Sequence, residues 1–169
     1  MPDINTKISA SSFQQCDGTN FSTVGVDNSV KVGKGSLGTY TGIGLTFNGK
    51  PSSAVVDLKG SMPYGDSPVS GGFRVRNNLN ENSQTVQFRL QPCTVTVPVA
   101  EKTNIYATPY VATKVNYKTG DNKTDVGIFG GVSQKIGNNT SVFVEGQLYD
   151  VTKVNAGTTS VNVGVSITI

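Results

Sequence analysis

The sequence predicts an all-β chain: an antiparallel up-and-down (meander) β-barrel of about eight strands, preceded by a polar N-terminal arm. Three observations carry this. Aliphatic and polar residues alternate with a period of two through most of the chain. The alternating runs are joined by short stretches of Asn, Gly and Asp that favour turns. No convincing helical period lies between any two runs, so the long crossovers that parallel neighbours require are missing.

Taken in order, residues 1–20 are polar and aperiodic and read as an arm or leader strand, which leaves 21–169 as a single barrel domain. Short strands are expected at Phe21–Val26 and Ser29–Val32, before a break at Gly33-Lys34-Gly35. Eight longer runs follow: Thr39–Asn48, Ser53–Met62, Gly71–Asn77, Thr85–Val97, Asn104–Tyr117, Thr124–Ser133, Ser141–Val151 and Ser160–Ile169. Turn chemistry separates them, as at Asn48-Gly49-Lys50-Pro51, Thr119-Gly120-Asp121-Asn122 and Gly137-Asn138-Asn139. Pro92 and Pro109 interrupt their runs, so each predicts a bend or bulge. Closing the meander into a barrel removes the free edges that a flat sheet of this size would leave.

Parity divides every run into the same two faces. One face is aliphatic, as in Ile43, Leu45 and Phe47, in Val56 and Leu58, in Phe88 and Leu90, in Val126, Ile128 and Val132, and in Val161, Val163, Val165, Ile167 and Ile169. The other mixes charges of both signs with glycines and large rings: Tyr40, Gly42 and Gly44; Asp57 and Lys59; Arg74 and Arg76; Gln87 and Arg89; Tyr106, Tyr110 and Lys114; Asp125, Gly127 and Phe129; Phe143, Glu145 and Tyr149.

Composition excludes several function classes. The net charge of +3 is small and its cations are scattered, so no nucleic-acid partner is expected. The chain has no histidine, which removes the commonest general base and metal ligand. No cofactor, metal or catalytic residue is expected. Asp57, Asp125 and Glu145 are the inward candidates for a paired-acid mechanism, and ion pairing is their simpler role. Gly33-Lys34-Gly35-Ser36 lacks the spacing and following helix of a phosphate loop. Cys16 and Cys93 form one disulfide across a long loop or remain two free thiols, since parity decides nothing with a single pair. No apolar stretch approaches the length of a membrane-spanning helix. Residues 1–7 contain no signal-peptide core, so an exported form is read as a mature chain behind an added Met1.

The two faces fit a barrel with lipid outside better than one with a solvated exterior. Turned inward, Arg74, Arg76 and Arg89 can pair with Asp57, Asp125 and Glu145 as an interior polar network, and the glycines leave room for rings. The ending resembles the C-terminal insertion signal of outer-membrane β-barrels, with Asn162, Gly164, Ile167 and Ile169 at its spacing. Residues 104–169 also resemble the last strands of small eight-stranded outer-membrane proteins of the opacity or OmpX-like kind. That resemblance implies a non-enzymatic integral protein of the outer membrane, in contact with lipid and with surface partners through its loops, enclosing a narrow or occluded lumen. Tyr64, Tyr117 and Phe47 are either interface aromatics or ordinary strand-end residues. Two alternatives stand beside this reading: a coat or decoration protein of a virion, assembling with copies of itself behind a polar arm, and a soluble small-ligand-binding barrel.

Overall fold

A computed structural model describes residues 4–16, 18, 20–46, 48–65 and 67–169; Met1 and Phe47 lie outside them. The strands are β1 (Ile4–Gln15), β2 (Asn20–Val32), β3 (Gly35–Leu45), β4 (Pro51–Tyr64), β5 (Ser67–Asn78), β6 (Ser83–Gln91), β7 (Val95–Ala100), β8 (Thr103–Asn116), β9 (Asn122–Lys135), β10 (Thr140–Leu148) and β11 (Thr159–Thr168). Each pairs antiparallel with its sequence neighbour, except that β6 and β7 both pair with β8. Pairing of β1 with β11 and of β6 with β8 closes the ring.

Ten strands therefore close the barrel and β7 adds an eleventh, where the sequence predicts about eight. One of the additions comes from residues with little hydropathic signal. Residues 4–15, expected as an arm or leader strand, are β1, a wall strand paired with β2 on one side and β11 on the other. Its outward positions, Thr6, Ile8, Ala10, Ser12 and Gln14, are mostly small or polar, so backbone pairing rather than side-chain pattern holds it. The two short strands expected around Val26 are one continuous β2.

The run expected over Thr85–Val97 breaks into β6 and β7, and the reason is chemical. Leu90 pairs with Val111 and Val95 with Ala107, so 91–94 faces 108–110 with one residue in excess. Pro92 and Pro109 both lie in this gap. Neither has an N–H to donate, so each sits where a ladder bond is missing. A hydroxyl contact of 2.9 Å between Thr94 and Thr108 bridges the gap, and Thr108 is 1% exposed.

The two ends of the barrel differ. Connections are short at one end: 33–34, 65–66, 101–102 and 136–139. The first needs a left-handed residue, which Gly33 supplies at φ +58°. The start of β1 and the end of β11 lie at this end, where the Ile169 amide donates to the Thr6 carbonyl at 2.9 Å. At the other end the connections are 16–19, 46–50, 79–82, 117–121 and 149–158. The longest folds back on the wall: Gln15 Nε2 donates to the Gly157 carbonyl at 2.6 Å, and Asn155 caps a 3-10 turn at Ala156–Thr158. In it, hydrogen bonds from the Thr152 hydroxyl and amide hold the Asp150 carboxyl below its ordinary range.

Cys16 and Cys93 are both free. The expected alternative of a disulfide fails on position, because Cys16 follows β1 and Cys93 lies between β6 and β7, nearly opposite in the ring.

Candidate functional site: an aliphatic belt around a polar lumen

Because side chains alternate along a strand, one register fixes both surfaces of the wall. Outward positions form a belt around the ring: Val24 and Val26 on β2, Ile43 on β3, Val56 and Leu58 on β4, Phe88 and Leu90 on β6, Ile128 on β9, Val144 on β10, and Val161 and Val163 on β11. These side chains stand open to the surroundings, Val163 at 50%. On strands of 9 to 14 residues, tilted as in a small barrel, such a belt is roughly 20–25 Å tall. Tyr64 is exposed at the short-turn rim and Tyr117 at the loop rim.

The interior is the polar half of the alternation. Among the described residues the buried hydrophobic side chains are only Val55, Val86, Tyr110 and Ala112, so no aliphatic core fills the barrel. Glycines face rings here. Tyr40 lies against Gly25 and Gly42, and Phe143 lies against Gly164. A Cβ on Gly164 would also stand 2.7 Å from Ser11 Cβ and 2.8 Å from the Ala10 carbonyl. Gly164→Ala should therefore destabilise by about 1–3 kcal/mol through overpacking, measured by denaturant unfolding of the folded barrel. An unchanged midpoint would show that Phe143 has another place to go.

The residues expected as an interior network all face the lumen, but they divide differently from the expected pairing. Arg74 Nε and Nη2 donate to Asp57 Oδ1 and Oδ2 at 2.7 and 2.6 Å, a two-pronged bond. Asp125, 2% exposed, is paired with Lys123 at 2.7 Å and Lys114 at 3.5 Å rather than with an arginine. Glu145 accepts from the Tyr106 hydroxyl at 2.9 Å. Arg89 stacks over the Tyr110 ring at 4.6 Å. Arg76 is left with a buried Nε that has no acceptor. Sequence reasoning missed Lys114 and Lys123 as the partners of Asp125, and Asp27 as the partner of Lys59. Their parity was visible; their cross-strand register was not.

Two cavities of about 360 and 840 Å³ occupy the lumen, and Asp57, Arg74, Gln87 and Arg89 line both. The larger also reaches Phe13 and Phe21, stacked at 4.5 Å, near the loop end. Among the described residues no group of three or more potential metal ligands occurs. Of the residues at the insertion-signal spacing, Asn162 and Gly164 face inward and Ile167 outward on β11; Ile169 follows the strand, 73% exposed.

No family model and no curated protein matches the sequence. Among solved structures the chain is similar to a loop-deletion mutant of OmpT, an outer membrane protein of Vibrio cholerae, with a TM-score of 0.43 and 14% identity over 89% of this chain and 54% of that one. It is also similar to a de novo designed transmembrane β-barrel, with a TM-score of 0.45 and 9% identity over 98% of this chain and 95% of that one. The β domain of the Bordetella autotransporter BrkA gives 0.45 and 8%, over 98% of both chains. The chain spans about half the length of the OmpT mutant. At these values the functional reading rests on the barrel's own surfaces.

Proposed function

We propose that this chain is a non-enzymatic, integral outer-membrane β-barrel, with its aliphatic belt in lipid, its longer loops turned outward for contact with surface partners, and a narrow polar lumen. The observation that carries the reading is the inside-out distribution of side chains: ion pairs and hydrogen-bonded rings lie within the wall, and aliphatics lie outside it on nearly every strand. In water such a barrel has no core to drive folding and a full circumference of apolar surface to hide. Lipid covers that surface from all sides at once, and the closed ring leaves few unpaired backbone groups to face it. Short turns at one end and longer loops at the other fit the periplasmic and external sides of such barrels. β11, which carries Asn162, Gly164, Ile167 and Ile169, then serves as the insertion signal while its own pairing with β1 closes the ring.

Gel migration with and without boiling tests this directly. Folded in detergent, the protein should run as a compact band that shifts on heating, and it should precipitate when detergent is withdrawn. A chain that stays monodisperse in plain buffer, or assembles there into large particles, would overturn the membrane reading and favour the ligand-binding or virion alternative respectively.

A further inference from the structure

The inner wall carries donors that no acceptor meets. Register places Asp57, Arg74, Gln87, Lys114 and Lys123 opposite one another in a single row across β4, β5, β6, β8 and β9. Arg76 and Arg89 flank the row on the same face of β5 and β6. Asp57 at one end accepts the fork of Arg74 through both oxygens. The other nearby carboxylate, Asp125, is shared by the two lysines. Glu145, on β10 next to the end of the row on β9, is bonded by Tyr106. In the middle, Gln87 is only 7% exposed and its Nε2 has no partner, and Arg76 Nε is likewise buried without one. Both side chains line the 840 Å³ cavity with Arg89 and Lys114.

An unmet buried donor costs on the order of 1–3 kcal/mol, and a guanidinium close to another cation costs more. Water can accept the hydrogen bonds but cannot balance the charge. A group with several acceptor oxygens and a negative charge does both, and the guanidinium fork matches that geometry.

We propose that the lumen binds a small oxyanion, a phosphate or carboxylate group, at the Arg76–Gln87–Arg89 face of the larger cavity. The proposal rests on the barrel reading above, because it takes the lumen to be open to solutes from the loop end.

The test uses the full chain folded in detergent micelles, with inorganic phosphate as probe and ³¹P line broadening as readout. Saturable binding is expected with a dissociation constant near 1 mM, as suits one small anion at a wet site. Competition by acetate would extend the site to carboxylates, and indifference to acetate would restrict it to phosphates. Gln87→Glu places a carboxylate within the row, where it accepts from the neighbouring cations; it should weaken phosphate binding by at least about tenfold while leaving the heat-modifiable band intact. Arg89→Gln should weaken binding without adding a charge, so the proposal does not depend on one variant folding. No saturable broadening by the wild-type protein would overturn it, as would unchanged binding in Gln87→Glu or Arg89→Gln. Loss of the heat-modifiable shift in the wild type would instead overturn the membrane reading, and the titration would still report on the site.

Discussion

Val163→Arg should cost about 2–4 kcal/mol of folding free energy when the protein is folded into phospholipid vesicles. Val163 lies on the outward face of β11 between Ser12 of β1 and Val144 of β10, within the belt. It is half open to its surroundings, so in a water-soluble barrel the same change would be a surface substitution, within about 0.5 kcal/mol of neutral. The two environments thus give well separated outcomes at one position. Urea titration of vesicle-folded protein reads the difference, and a value near zero would place water, not hydrocarbon, against this face.

Asp57→Asn should be nearly as costly for the opposite reason. The carboxylate is the only one bound by Arg74, whose own strand carries Arg76 two residues on and whose neighbour carries Arg89. Removing one partner of a buried pair leaves a charge uncompensated and typically costs about 3–5 kcal/mol. Because a third of the Arg74 side chain remains open, about 2–3 kcal/mol is expected here. Adding Arg74→Gln should recover part of the loss, since the stranded charge goes with it. If Asp57→Asn unfolds at the wild-type denaturant concentration, the pair is an ornament of a hydrated pore and contributes nothing to the wall.

Much of this was legible in the chain because a strand has an exact period of two, and a residue's parity states its face without any knowledge of the neighbouring strand. That is why the Arg74, Asp125 and Glu145 side chains fall on the lumen side as expected. Pro92 and Pro109 each signalled a local fault; that the two faults face each other across one gap depends on the register of β8, which no single run contains. β1 was illegible because Ser12 and Gln14 stand where a hydropathic signal would need aliphatics, and its membership in the wall is decided by hydrogen bonds to β2 and β11. The lysine partners of Asp125 were obscured in the same way, since Lys114 lies across a turn from it and pairs on the diagonal.

The β1–β11 seam has a consequence for assembly. The other junctions in the wall are local hairpins, apart from β6 with β8, which closes over the short β7, whereas this one joins Lys7 to Thr168. It carries the largest loop-closure entropy and the longest sequence separation, and both make it the slow step. Until β11 has arrived the sheet has two open edges, and its pairing with β1 is what seals them.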